Sequence, residues 1–199
     1  KIFKIDSDSV KTHKKGAEVI EQFFSSPGSV LLGTEMALPY LHKEIANSSV
    51  VGIDSLFTLP DFRMSEKIFN TLLLLRAKTL KNFLIQTSTP DEKVFEYVIK
   101  GNLLDFYRSE IKQRKEFGYP PFSVFIKISY TGKKPTAVKE MERLSKILED
   151  YAPKVYPSFT PGAGGAYTIN TLLKLERGAW INKKLLEILL FGVLSLFPV

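Results

Sequence analysis

Cysteine is absent from the 199-residue sequence, and histidine occurs only twice, as His13 and His42. The lack of cysteine excludes a disulfide scaffold, a thiol nucleophile and any zinc or iron–sulfur site with cysteine ligands. Two histidines argue against a histidine-based metal site and against a histidine-driven catalytic triad. The sequence therefore indicates no metal site and no catalytic residue.

Phosphate-binding glycine motifs and long apolar runs are also missing. There is no G-x-x-x-x-G-K-[ST] loop and no GxGxxG motif, so we expect no binding of a nucleoside triphosphate by this segment alone. The longest apolar run, Leu185–Phe197, is interrupted by Glu187 and Gly192 and is shorter than the roughly 20 residues that span a bilayer. Lys1–Ile20 is charged and lacks the apolar region of a targeting signal. The expectation is a cytoplasmic protein with no membrane partner.

The sequence contains enough apolar residues to form a core, and its positive charge is concentrated in its second half. Hydrophobic residues make up 44% of the chain and aromatic residues 12%, more than a disordered chain holds. Residues 1–100 hold 13 basic and 12 acidic side chains, and residues 101–199 hold 15 and 9. The excess of basic groups in the second half permits nucleic acid as a partner without requiring it.

In residues 1–100, short β-branched or leucine-rich runs alternate with helical patterns. Strands are predicted at Lys1–Ile5, Ser29–Gly33, Ser49–Asp54 and Asn82–Gln86. Helices are predicted at Lys15–Phe24 and Met64–Thr79, and two more are marked by the apolar residues of 95–99 and 103–117. Because strands that alternate with helices form parallel sheets, this half is predicted to be an α/β domain with a parallel sheet.

The second half follows a different pattern after the break at Pro120 and Pro121. Strands are predicted at 124–129 and 166–175, helices at 135–151 and 181–194, and a proline- and glycine-rich stretch lies at 153–165. With one strand in that stretch the order is β-α-β-β-α, an incomplete ferredoxin-like α+β domain without its last strand. We therefore predict an α/β domain at 1–100, a helical connector at 101–123 and a smaller, truncated α+β domain at 124–199.

Polar residues at strand ends are candidate ligand sites, because open α/β sheets bind ligands beyond the carboxyl ends of their strands. Gly33 and Thr34 are suited to present backbone N–H groups and a hydroxyl to a phosphate. Asp54 is suited to orient a metal-bound water or a nucleotide. The alternative is that these residues only end strands and turn the chain. Asp61 is suited to cap the helix that follows it, and Arg63 either meets an anion or forms a surface ion pair with Glu66.

Basic side chains cluster in three further places that suit phosphate contacts. In chain order these are Lys78 and Lys81, then Lys112, Arg114 and Lys115, then Lys133 and Lys134. Aromatic residues interleave with these charges, as they do in nucleic-acid surfaces: Tyr119, Phe122 and Tyr130. Each of these features also has an ordinary structural explanation. The cations can lie at a helix C-terminus or on a solvated helix face, and the aromatic residues can belong to the core.

Taken in order, several segments resemble the C-terminal part of the primosomal protein N′ family, the replication-restart DNA helicases. Leu31–Met36 is similar to the family's Gly-Thr-Gln-Met motif, and Pro60–Arg63 to its Ala-Asp-Phe-Arg segment. The most specific match is Gly118-Tyr119-Pro120-Pro121-Phe122-Ser123. The resemblance covers most of the chain. It implies a second RecA-like helicase lobe, without its first strand and its zinc-binding insertion, followed by the family's C-terminal domain.

In that family, ATP lies between two RecA-like lobes and drives 3′–5′ DNA unwinding, and the phosphate loop belongs to the first lobe. The family's Gln-Val-Ala-Gly-Arg-Ala-Gly-Arg motif corresponds to Leu74–Lys81, where lysines replace both arginines. Lysine keeps the charge but lacks the planar fork that stabilises a transferring phosphoryl group. The resemblance implies no zinc, ATP and Mg²⁺ only together with a first lobe, and an ATP cleft lined by Gly33, Thr34, Asp61, Arg63, Lys78 and Lys81.

The family's Gly-Gly-Arg-Tyr-Arg-Trp-Gln strand corresponds to Gly164–Asn170, in which the arginines are replaced and Tyr167 remains. The resemblance implies forked or single-stranded DNA as a partner, together with single-strand-binding protein and other primosome proteins. The candidate DNA-binding residues are Lys112, Arg114, Lys115, Lys133, Lys134 and Tyr167. The leading hypothesis is a fragment or divergent relative of the helicase that binds DNA or partners without its own ATP hydrolysis. The alternative is a non-catalytic structural or protein-docking module that kept the fold.

Overall fold

The computed structural model describes residues 1–58, 61–158, 165–179 and 182–192. The chain divides into two compact units, residues 1–110 and residues 111–199. Each unit has buried hydrophobic clusters of its own: two in the first unit and one in the second.

In the first unit, strands and helices alternate as the sequence predicts. The strands are β1 Ile2–Ile5, β2 Val30–Gly33, β3 Ile45–Val50 and β4 Thr79–Ile85. The helices are α1 His13–Phe24, α2 Asp54–Phe57, α3 Met64–Ala77 and α4 Lys93–Lys100, and a 3-10 segment covers Glu35–Tyr40. Helix α5, Leu103–Glu116, begins in the first unit and ends in the second. The unit is α/β with small sheets.

Both strand pairs of this unit are parallel, but the described strands form two separate ladders where the sequence predicts one sheet. β1 pairs with β2, and β3 pairs with β4. The two ladders accompany two hydrophobic clusters, although Ile45 of β3 also packs against the cluster beside β1. β1 and α1 bury Ile5 and Ile20 in one cluster, whereas α3 and α4 bury Phe69 and Val98 in the other.

Strand β3 corrects the prediction of a strand at Ser49–Asp54. The strand runs through Asn47 and Ser48 and ends at Val50, and Asp54 is the first residue of α2. Polar side chains hold this strand to its neighbour: Asn82 Nδ2 donates to Asn47 Oδ1 at 2.7 Å, and the Ser48 and Thr79 hydroxyls are 2.7 Å apart. Cross-strand polar pairs of this kind stabilise a strand that its apolar pattern alone does not reveal.

The second unit contains a three-stranded antiparallel sheet with helix α6 against one face. β5 Ser123–Gly132 pairs along its whole length with β7 Tyr167–Glu176, and the short strand β6 Lys154–Pro157 lies on the other side of β7. α6 Lys134–Ile147 packs Met141 and Leu144 into the core of this unit. A 3-10 turn, Glu149–Tyr151, follows α6, so the predicted helix at 135–151 ends earlier than expected.

The predicted helix at 181–194 is described only in part. α7 Lys183–Glu187 begins after Asn182, whose Oδ1 accepts the N–H of Leu185 at 3.1 Å, and a π-helical turn follows at Ile188–Gly192. The rest of that prediction lies outside the described residues, as do Pro60 and Gly164 of the motif matches. In the ranges given above, no helix has both the length and the apolar character needed to cross a membrane.

Candidate nucleic-acid interface

In the described part of the second unit, α6 covers one face of the sheet and leaves the other face open. Residues of β5 and β7 alternate between them: Val124, Ile126, Leu173 and Leu175 pack under α6. On the opposite side, called the open face below, lie Phe125, Lys127, Ser129 and Thr131 of β5, Thr168, Asn170, Leu172, Lys174 and Glu176 of β7, and Lys154 and Tyr156 of β6. This alternation follows from the two-residue period of a strand.

The open face is positively charged. Its lysines, Lys127, Lys154 and Lys174, are all exposed, and they come from three different strands. Among the residues assigned to the open face above, Glu176 at one end is the acidic one. In the middle of the face, Asn170 is buried and its Oδ1 accepts a hydrogen bond from the Ser129 hydroxyl at 2.8 Å. Three exposed cations on one surface favour a polyanionic partner.

One end of the open face continues into a cluster of aromatic rings, Phe117, Tyr119 and Phe125, called the elbow rings below. Their centroids are separated by 5.8 Å from Phe117 to Tyr119 and by 5.9 Å from Tyr119 to Phe125. Lys174 Nζ donates to the backbone carbonyl of Phe117 at 2.8 Å and lies 5.9 Å from the centroid of the Tyr119 ring. The elbow rings and the lysines therefore form one continuous surface.

Gly118 allows this arrangement. Its φ of +58° is in the left-handed region, and a Cβ placed on it would lie 3.0 Å from Lys174 Nζ. Its carbonyl oxygen accepts the hydroxyl hydrogen bond of the buried Ser123 at 2.7 Å. The Pro120–Pro121 peptide bond of the same segment is cis.

The predicted DNA-binding residues fall into two groups at opposite ends of the sheet. Lys134 Nζ lies 5.6 Å from the centroid of the Tyr167 ring, and Lys133 precedes α6 at the same end. Lys112, Arg114 and Lys115 lie on α5, just before the segment that leads to Ser123 at the other end. β5 has ten residues, so the two ends are about 30 Å apart. The structure thus brings Lys134 and Tyr167 together, and the role of all six residues stays a prediction.

Sequence reasoning missed the three lysines that lie between those ends. A signal for Lys127 was available, because Phe125, Lys127 and Ser129 alternate with the apolar residues of β5. Lys174 alternates with Leu173 and Leu175 in the same way, whereas Lys154 had no such signal. Only the strand register shows that they lie near Lys127, since Leu172 pairs with both Lys127 and Lys154 and Phe125 pairs with Lys174.

Four of the six predicted ATP-cleft residues lie toward the beginning of α3. Gly33 ends β2, and a Cβ on it would lie 2.6 Å from the Ala37 Cβ, so the turn at Thr34 requires a glycine. An ion pair of 3.0 Å between Glu35 and Lys67 connects this turn to α3. Asp61 Oδ1 accepts the backbone N–H of Arg63 at 3.0 Å, and both side chains line a shallow groove of about 490 Å³ along α3.

Lys78 and Lys81 are not part of that group. Lys78 follows the last residue of α3, and Lys81 lies in β4. α3 has 14 residues, so Lys78 lies about 20 Å from Arg63 along the helix axis. The six residues therefore do not converge on one site in this unit, and their assignment to an ATP cleft stays a prediction.

Asp54, another candidate at a strand end, is held by hydrogen bonds. Its carboxylate accepts the Thr87 hydroxyl at 2.5 Å, the Ser88 N–H at 2.7 Å and the Ser88 hydroxyl at 2.8 Å. The hydrogen bond from the Thr87 hydroxyl contributes most to lowering the pKa of Asp54, and the two hydrogen bonds from Ser88 lower this pKa further. The arrangement joins the start of α2 to the segment after β4.

No cluster of three or more histidine or acidic side chains in the described part of the chain could hold a metal ion. The expectations about ATP, Mg²⁺ and zinc stay predictions.

A scan against known protein families finds no match. Individual proteins do match. The chain is 30% identical over 169 residues to the replication restart protein PriA of Borreliella burgdorferi, an alignment that covers 79% of the chain. The chain is a relative of PriA. PriA of Chlamydia pneumoniae is 27% identical over 96% of the chain, and PriA of Synechocystis sp. is 30% identical over 77%.

These alignments confirm the resemblance that the motifs indicated. The chain spans only 20–27% of the length of these three PriA proteins, which is consistent with a match to their C-terminal part.

Proposed function

We propose that this chain is a DNA-binding part of a replication restart protein and that it does not hydrolyse ATP by itself. The observation that supports DNA binding is the open face, where Lys127, Lys154 and Lys174 of three neighbouring strands are exposed on the same side of the sheet. The similarity to PriA proteins supports a role in replication restart.

We also propose an assignment of the two units to the domains that the PriA resemblance implies. We assign the first unit to a second RecA-like helicase lobe, which its parallel strand pairs and alternating helices support. We assign the second unit to a ferredoxin-like domain, which the order β5-α6-β6-β7-α7 of its described elements supports. The segment of 101–123, with α5 and the cis Pro120–Pro121 bond, is the connector in this assignment.

In this proposal the lysines bind DNA through phosphate oxygens. Lysine is a compact point charge, so it neutralises phosphates without reading base sequence. Each neutralised phosphate releases counterions, so the affinity falls steeply as salt rises. Lys133, Lys134 and Tyr167 lie at the end of the sheet where α6 begins, with Tyr167 packed on the α6 side, so in this proposal they form a contact separate from the open face. The basic residues of α5 precede the segment that leads to β5.

Other partners follow from the family resemblance and belong to the same proposal. Single-strand-binding protein and other primosome proteins are candidate partners, and the docking module remains the alternative function. ATP and Mg²⁺ would be bound only in a protein that also supplies a phosphate-binding lobe.

A charge-reversal pair tests the proposal. The Lys127→Glu/Lys154→Glu variant changes the open face, and Lys139→Glu/Lys146→Glu makes the same charge change on exposed positions of α6, on the other side of the sheet. We expect the open-face variant to lose at least about tenfold in affinity for single-stranded DNA, with a salt slope smaller by about 1.4. Fluorescence anisotropy between about 50 and about 200 mM salt measures both.

Equal affinities for the two variants would contradict the proposed surface. A wild-type chain that binds no DNA even at low salt would contradict DNA binding itself and favour the docking module.

A further inference from the structure

We propose that the elbow rings stack unpaired DNA bases, so that the chain binds single strands in preference to duplex. This inference rests on the proposed function, because the lysines of the open face bring the strand to the rings. It adds a second kind of contact, with the bases and not with the phosphates.

Phe117 is the ring best placed for such a contact. It is 57% exposed at the end of α5, although phenylalanine is usually buried. A single exposed aromatic ring is ordinary, but this one is the first of three rings at spacings of about 6 Å. The Phe117 and Tyr119 planes differ by 31°, whereas Phe125 meets Tyr119 edge-on at 85°. Phe117 therefore presents the most accessible ring of the cluster to a base.

Lys174 places a cation at the same position. Its hydrogen bond to the Phe117 carbonyl fixes the amino group beside the backbone, within 5.9 Å of the Tyr119 centroid. An amino group next to an aromatic platform meets the phosphate of a nucleotide whose base lies on the ring. The open face then continues with Phe125 and Lys127 on β5, so a strand that leaves the rings meets further positive charge.

The chemistry of the surface selects single-stranded DNA over the other polyanions. Aromatic stacking needs a free base face, which a single strand offers at every nucleotide and which a duplex hides inside its own stack. Duplex DNA would contact only the lysines. The aspartate and glutamate side chains of an acidic peptide would satisfy the lysines as well, but they have no aromatic ring to cover Phe117.

The test compares Phe117→Ala with Ile147→Ala, which truncates another exposed apolar side chain of the same unit, on α6. The probes are an oligothymidylate of about 16 nucleotides and a duplex of about the same length. We expect Phe117→Ala to weaken single-strand binding about tenfold, to leave duplex binding within about twofold and to leave the salt slope unchanged. Phe117→Trp should restore single-strand binding.

A strand that contains 2-aminopurine gives a direct reading of stacking. We expect the wild-type chain to quench its fluorescence on binding and Phe117→Ala to remove most of the quenching. Equal losses for single strand and duplex, or no loss for either, would overturn the inference. If Lys127→Glu/Lys154→Glu weakens binding and Phe117→Ala does not, the inference fails while the proposed function stands. A wild-type chain that binds an acidic peptide and no oligothymidylate would overturn both.

Discussion

Gly118 shows how one residue determines the geometry of the candidate surface. Its left-handed φ turns the chain after α5, and the absence of a side chain leaves room for Lys174 Nζ. Lys174 in turn donates to Phe117 and lies against Tyr119. The position of the elbow rings therefore depends on a residue that contributes no side chain of its own.

We expect Gly118→Ala to destabilise the chain by about 1–2 kcal/mol, because alanine is strained at this φ and its Cβ meets Lys174. Urea unfolding measures the change. Gly178→Ala is the control, since a Cβ there has open space and the φ of Gly178 lies outside the left-handed region. Similar stabilities for the two variants would show that Gly118 is not required.

At the scale of elements, Asp54 joins the start of α2 to the segment after β4. The hydrogen bonds favour the ionised carboxylate, and so its pKa in the folded chain lies below the usual value of about 3.9. A group of this kind stabilises the folded state at pH above its unfolded pKa, and the stabilisation is lost as the pH falls toward the folded pKa.

We expect Asp54→Asn to lower the melting temperature at pH 7. The carboxylate of Asp54 accepts from Thr87 with one oxygen and from Ser88 with the other, whereas the asparagine amide has only one acceptor oxygen. The difference from the wild type should shrink as the pH falls below about 4. Thermal melts at pH values from about 3 to about 7 give the comparison. An equal difference across this range would contradict the role assigned to the carboxylate.

The elements themselves were predictable where a periodic apolar pattern existed. α6 shows it, with Met141 and Leu144 on one face, and β7 was placed to within one residue at each end. The bounds of β3 were not predictable, because Asn47 and Ser48 are stabilised by hydrogen bonds to residues of β4 that only the folded structure brings near them. The separation of Lys78 from Arg63 could have been predicted, since the helix expected at Met64–Thr79 already places the two residues at its opposite ends.

For the whole molecule, the relevant fact is that the chain spans about a quarter or less of PriA from Borreliella burgdorferi and Synechocystis sp.. The sequence has no phosphate-binding glycine loop, and the predicted ATP-cleft residues lie near both ends of α3. We therefore expect no DNA-stimulated ATP hydrolysis by the chain alone, in a phosphate-release assay with saturating single-stranded DNA. A Lys78→Ala/Lys81→Ala preparation is the control for contaminating activity. Turnover by the wild type that this variant lacks would contradict the prediction.

The long pairing of β5 with β7 has a consequence for synthesis on the ribosome. Ser123 pairs with Glu176, so β5 emerges well before the strand that completes it. Its apolar residues Val124, Ile126 and Ile128 would be exposed to water and to other nascent chains in that interval. α6 follows β5 almost at once and packs on the same side chains. We therefore expect α6 to pack on the apolar side chains of β5 before β7 is synthesised.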